Sequence, residues 1–199
     1  MRRLRIGLLL VVFFNLHSLA SAQSDQFELF GGYSLERIGP GCGSNYRCGA
    51  VTAGPATNMS GWTTSLTGFV SKSFGISAQF TGNYNGTAAL SYSNVVYRYS
   101  YQFGPAYEVR WQRTSAFAHA LFGGVTQNSS ADKTLSYTNF IWSLGGGLDF
   151  KALSRISIRP VQLDYEGQRV PVVDTGGPTP IGPIIGSGLR YSAGIVIRF

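Results

Sequence analysis

The residues able to do chemistry are few and far apart. After the first 22 residues the chain has one histidine, His119, and two cysteines, Cys42 and Cys48, in the segment Gly39-Pro-Gly-Cys-Gly-Ser-Asn-Tyr-Arg-Cys-Gly49. Two lone thiols make a poor zinc site, because zinc takes four ligands and no histidine lies near them. In an exported chain they favour a disulfide closing a short loop. Gly145-Gly-Gly147 leads into neither a helix nor an adjacent lysine, which argues against phosphate cradling and for close strand approach. The largest set is charged: Glu28, Arg98, Glu108, Arg110, His119, Asp149, Arg159, Asp164, Arg190 and Arg198. Each stands between apolar or aromatic neighbours. Period two puts the charged residues on one face of a strand and their neighbours on the other. The chemistry open to such a set is mutual ion pairing, if those faces turn together into one interior, since buried charges must pair. A narrow conductive path and a buried site are the alternatives.

The elements that would position these groups are strands. Phe27, Leu29, Gly31 and Tyr33 alternate with Glu28, Phe30, Gly32 and Ser34. A second strand runs over 60–72, a third over 76–84 and a fourth over 97–111. In the fourth, Tyr97, Tyr99, Tyr101, Phe103, Pro105, Tyr107, Val109 and Trp111 share one face. Eight successive matches exceed the usual soluble strand of ~5–6 residues. Further strands are expected over 116–124, 140–150, 156–166 and 189–199, with β-bulges at Pro105 and Pro160. Polar, Gly- or Pro-rich loops at 36–59, 85–95, 126–138 and 167–187 alternate with short turns near 73–75, 112–114 and 151–154. Aromatics fall near the loop ends (Tyr33, Trp62, Tyr84, Tyr97, Trp142, Tyr165, Tyr191) and near the turn ends (Phe27, Trp111, Phe150, Phe199).

Bulk properties agree with strands in lipid. Charged residues are 13% of the 199 residues, about half the usual ~25%, while aromatics are 14% and glycines number 26. No run beyond the first twenty residues reaches the ~20 apolar residues of a membrane-spanning helix. Residues 1–22 read as a cleaved signal peptide: Arg2, Arg3 and Arg5, then an apolar core from Ile6 to Phe14, then Ala20-Ser21-Ala22. Losing those three arginines lowers the formal charge from +7 to +4, so the basic balance does not call for nucleic acid. The sequons Asn58-Met-Ser60, Asn85-Gly-Thr87 and Asn128-Ser-Ser130 read as chance matches in polar loops.

The last strand, Leu189 to Phe199, ends on an aromatic with apolar residues at every second position before it. It resembles the terminal strand of bacterial outer-membrane barrels. With Ala118-His-Ala-Leu-Phe-Gly-Gly124, Gly145-Gly-Gly-Leu-Asp-Phe150 and Arg159-Pro-Val-Gln-Leu-Asp-Tyr165, residues 23–199 resemble the eight-stranded outer membrane protein A-like or X-like family. The resemblance implies an all-β, eight-stranded antiparallel transmembrane barrel with turns in the periplasm and loops outside. It implies the barrel domain alone, without the peptidoglycan-binding domain of some relatives. It also implies that Tyr191, Ile195, Ile197 and Phe199 form the signal read by the barrel-assembly machinery. Some barrels are lipid A deacylases carrying His-x-Ser on one strand; here the match is His119-Ala-Leu121, without the serine. The expectation is therefore a non-catalytic monomer with no cofactor or metal. Its partners would be outer-membrane lipid and an extracellular ligand at the loops. A small-solute pore or a lipid A-modifying enzyme is the alternative.

Overall fold

The computed structural model describes residues 26–39, 57–85, 96–129, 136–170 and 184–199. The segment read as a signal peptide, and the loop with Cys42 and Cys48, lie outside the described residues. Eight strands follow in chain order: β1 (Phe27–Ile38), β2 (Thr57–Phe69), β3 (Phe74–Asn85), β4 (Val96–Arg110), β5 (Thr114–Ser129), β6 (Ser136–Lys151), β7 (Ile156–Val170) and β8 (Ile184–Arg198). Each pairs antiparallel with its neighbour in sequence. β1 and β8 close the barrel, in register from Glu28 opposite Arg198 to Ile38 opposite Gly188. Phe27 and Phe199 complete that seam, exchanging backbone hydrogen bonds of 2.9 and 3.0 Å with their rings stacked 6.1 Å apart.

The distribution of side chains is inverted relative to a water-soluble domain. Phe80, Phe103, Leu144, Leu163 and Ile195 are exposed on the outer wall, while Gln79, Gln162, Asp164, Arg190 and Ser192 are at most 1% exposed inside it. A polar interior and an apolar exterior fit a strand cylinder surrounded by hydrocarbon. Aromatics band the loop end: Trp62 Nε1 donates to the Tyr84 hydroxyl at 3.2 Å, and Tyr84 meets Tyr97 edge-on at 5.7 Å.

The strands are longer than their hydrophobic pattern. β1 continues to Ile38, β5 to Ser129 and β7 to Val170, and β6 begins at Ser136, so parts of the expected loops 36–59, 126–138 and 167–187 are strand. Past the apolar band both faces are polar, so the period-two signal fades while the backbone ladder goes on. At the other end the β2–β3 turn is 70–73 rather than 73–75, closed by the Val70 amide on the Phe74 carbonyl and the Phe74 amide on Ser71 Oγ, both 3.0 Å.

The two prolines behave differently. The registers of β3–β4 and β4–β5 run past Pro105 unshifted, from Phe103 opposite Phe122 to Ala106 opposite His119, so the bulge expected there is not formed. Proline lacks an N–H but adds no residue to the strand, so a bond is lost and the count is kept. At Pro160 the β7–β8 register does shift, between Arg159 and Gln162. Two residues, Pro160 and Val161, separate the inward side chains of Arg159 and Gln162, which is what a bulge does. Tyr191 of β8 donates its hydroxyl to the Pro160 carbonyl at 2.6 Å. On an apolar exterior no water would replace that donor. Tyr191→Phe is therefore expected to cost about 1–3 kcal/mol in denaturant unfolding of the detergent-folded protein. An unchanged unfolding midpoint would show that the carbonyl does not need it.

Candidate functional site

The inner wall carries three tiers of charge. In the tier nearest the turns, Arg159 donates from Nε to Asp149 Oδ1 at 2.6 Å and from Nη2 to Asp149 Oδ2 at 3.0 Å and Glu28 Oε1 at 2.6 Å. Its guanidinium lies between two rings, 3.8 Å from the centroid of Phe117 and 4.5 Å from that of Phe30. Arg198 closes the same tier. Its Nη2 reaches Glu28 Oε2 at 3.1 Å, Glu108 Oε1 at 2.9 Å and Asp149 Oδ2 at 3.0 Å. Those three carboxylates come within 4.8 Å of one another. The Arg198 guanidinium supplies the positive charge that such a cluster requires. Arg110, half-buried at the edge of the tier, donates to Glu108 Oε2 at 3.0 Å and lies 4.5 Å over the Phe69 ring.

The middle tier centres on Asp164. Its Oδ2 accepts from Arg190 Nε at 3.1 Å, Arg190 Nη2 at 2.7 Å and Gln162 Nε2 at 2.9 Å, and its Oδ1 from His119 Nε2 at 2.8 Å. Arg190 also donates to Thr81 at 3.1 Å and pairs with Glu166 Oε1 at 2.5 Å. The loop-side tier joins Arg98 to Glu36 at 2.9 Å, to Glu166 at 3.4 Å and to Gln168, and Asn83 donates to Glu36 Oε2 at 2.5 Å. Arg190 and Glu166 link this tier to the one below, and Gln162, bonded to both Arg159 and Asp164, links the lower two.

The glycines of β6 make this geometry available. His119 on β5 is opposite Gly145, and Gly145 is opposite Asp164 on β7. A Cβ on Gly145 would overlap Asp164 Oδ1, so the imidazole and carboxylate meet across β6 because nothing stands between them. Gly147 plays the same part for Phe117: a Cβ there would come 2.8 Å from the ring that stacks on Arg159.

Of the charged residues singled out from the sequence, the structure brings Glu28, Glu108, Arg110, Asp149, Arg159 and Arg198 together in one tier and His119, Asp164 and Arg190 in the next. Arg98 is in the third. Tyr191, Ile195, Ile197 and Phe199 lie exposed on the outer wall of the closing strand. Glu36 is outside the charged set because it begins the polar segment 36–59, yet it has the inward parity of Glu28 and Ser34 and is 3% exposed. Extending the alternation by two residues would have found it. The glutamines and the stacked Phe30 and Phe117 carried no charge signal. Arg169, which reads as a loop residue in the sequence, is part of β7.

No family model and no curated protein matches the chain in sequence. Solved structures do match it in shape. Neisserial surface protein A is 12% identical with a TM-score of 0.62, the match covering 89% of this chain and 99% of that one. The outer membrane protein OprG of Pseudomonas aeruginosa is 10% identical with a TM-score of 0.50, covering 89% and 97%. The attachment invasion locus protein Ail of Yersinia pestis is 15% identical with a TM-score of 0.46, covering 87% and 99%. The chain thus has the eight-stranded fold of small outer-membrane barrels, resembling them in architecture at low identity.

Removing one member of a buried pair leaves its partner desolvated, typically at ~3–5 kcal/mol. Arg159→Ala is expected to destabilise the barrel by about that much, whereas Arg155→Ala, exposed in the β6–β7 turn, should stay within about 0.5 kcal/mol. Unfolding curves of both variants in one detergent decide it; coincident midpoints would mean that Arg159 does not hold the tiers together.

Proposed function

We propose that this chain is a non-catalytic barrel of the bacterial outer membrane, exported by a signal peptide cleaved near residue 22. It would act in envelope structure or in surface contact through the longer connections at its loop end. The observation that carries this reading is the lumen above its turn-end mouth, where the described residues fill it with paired charges and leave cavities of about 10 Å3 beside Arg98 and Glu166 and about 10 Å3 beside His119 and Arg159. Each is the size of about one water. A barrel so filled is a rigid carrier for its loops rather than an open pore.

Two observations weigh against lipid-modifying chemistry. His119 faces the lumen, and its Nε2 is engaged by Asp164, which in turn is held by Arg190 and Gln162. An acyl chain in the surrounding lipid meets the outer wall, where the exposed residues are aliphatic and aromatic. The remaining partners follow from position: lipid along that wall, the assembly machinery at β8, a ligand at the loops, and one copy per barrel.

Planar-bilayer recording and a lipid A modification assay on one detergent-purified sample test the reading. The expected results are no steady current and an unaltered lipid A. Sustained porin-like conductance would replace it with the small-solute pore, and loss or transfer of an acyl chain with the enzyme.

The assembly role of β8 has its own test. Deleting Phe199 removes both backbone bonds to Phe27 and the ring stack, and should lower the yield in the outer membrane while export into the periplasm continues. Undiminished assembly would remove Phe199 from that role.

A further inference from the structure

We infer that the turn-end mouth of the barrel is a binding site for a phosphate-class oxyanion, held by Arg113 and Lys151 with Arg110 and Arg198 behind them. The first observation is a cavity of about 160 Å3 at this mouth, lined by those four cations, by Ser115 and by Asp149 among others. Its volume suits a phosphate group with a few waters.

The second observation is the charge balance. All six described carboxylates, Glu28, Glu36, Glu108, Asp149, Asp164 and Glu166, are buried. In the tier next to the mouth, Glu28, Glu108 and Asp149 are taken by Arg159, Arg198 and Arg110. Asp149 therefore does not present an uncompensated charge to the cavity. Counting Arg113 and Lys151, five cations face three carboxylates, an excess of two. Among the described residues, the exposed charged side chains at this end are all positive: Lys72, Arg113, Lys151 and Arg155.

The third is the position of the two outer cations. Phe150 is opposite Thr114, and the Lys151 amide donates to the Arg113 carbonyl at 2.9 Å, so Lys151 at the end of β6 and Arg113 just before β5 are held side by side. Both continue the inward parity, Arg113 that of Ser115 and Lys151 that of Asp149. Like charges directly opposite one another destabilise a sheet. No ion-pair partner for either is found among the described residues. An oxyanion between them would relieve that repulsion and take charge-assisted bonds from the arginine fork and the ammonium group. The ligand chemistry is shared by soluble phosphate and by the headgroups of anionic phospholipid.

The test is calorimetric titration of inorganic phosphate into the folded protein in maltoside detergent at low ionic strength, where surface charge is least screened. One saturable site per chain is expected. Affinity should fall about tenfold or more in the double variant R113Q/K151Q, the loss of two charge-assisted bonds, and stay the same in R155Q. All three proteins must show the same heat-dependent gel shift, so that loss of binding is not loss of fold. Absence of saturable uptake by the wild type, or equal uptake by the double variant, overturns the site. Repeating the titration in nanodiscs names the source. Binding kept with or without phosphatidylglycerol supports a soluble phosphate, and binding lost only when that lipid is present supports its headgroup. Neither outcome depends on whether the lumen conducts.

Discussion

The structure depends on one constraint: a charge inside an eight-stranded cylinder has neither bulk water nor room to turn toward it. An interior of this size is filled by side chains, and an unpaired ion in it would carry a desolvation penalty of several kcal/mol. Every described side-chain carboxylate is inside, so each must be met by a cation or donor from another strand. Arg159 meets Asp149 and Glu28, Arg190 meets Asp164 and Glu166, and Arg98 meets Glu36 and Glu166. These pairs tie β1, β4, β6, β7 and β8 together across the lumen, in addition to the backbone ladder that already joins neighbours.

Meeting that constraint takes local departures from regular strand structure. Long side chains can bridge strands two apart only where the strand between them is bare, and Gly145 and Gly147 supply those gaps. Arg159 and Gln162 can both face inward only because two residues stand between them, and the β7 bulge absorbs the extra one. The bulge leaves the Pro160 carbonyl facing outward, and Tyr191 of β8 answers it. The glycines, the bulge and the tyrosine are thus parts of one arrangement. Each would look like an irregularity if considered alone.

The same constraint separates the two ends of the molecule electrostatically. Because the acidic side chains are drawn into the lumen, the cations on the turns are left without acidic side chains beside them among the described residues. Pairing inside therefore produces a basic rim outside. A filled lumen also moves functional expectation from transport to the two ends: the loops, as proposed for surface contact, and the turn-end mouth, as inferred for an oxyanion.

Much of this was legible without coordinates, because strand alternation is a local property. Alternate apolar residues flank each of the ten inward charges, and the eight segments with their short and long connections are visible as far as the apolar band extends. The bulge at Pro160 was visible too, since Ile158 and Val161 are three apart and a phase slip is written into the order of residues. Where alternation stops the signal stops, and so Glu36 and the loop-side ends of β5 to β7 read as loop. Pro105 carried the same residue type as Pro160 without a phase slip, and only the paired registers distinguish them. The sequence by itself thus determined which residues of the apolar band face inward. The tertiary structure decided which of them touch, because partners such as Arg98 and Glu166 or Arg159 and Glu28 lie 68 and 131 residues apart, and their distance is set by barrel closure and register, which no local pattern encodes.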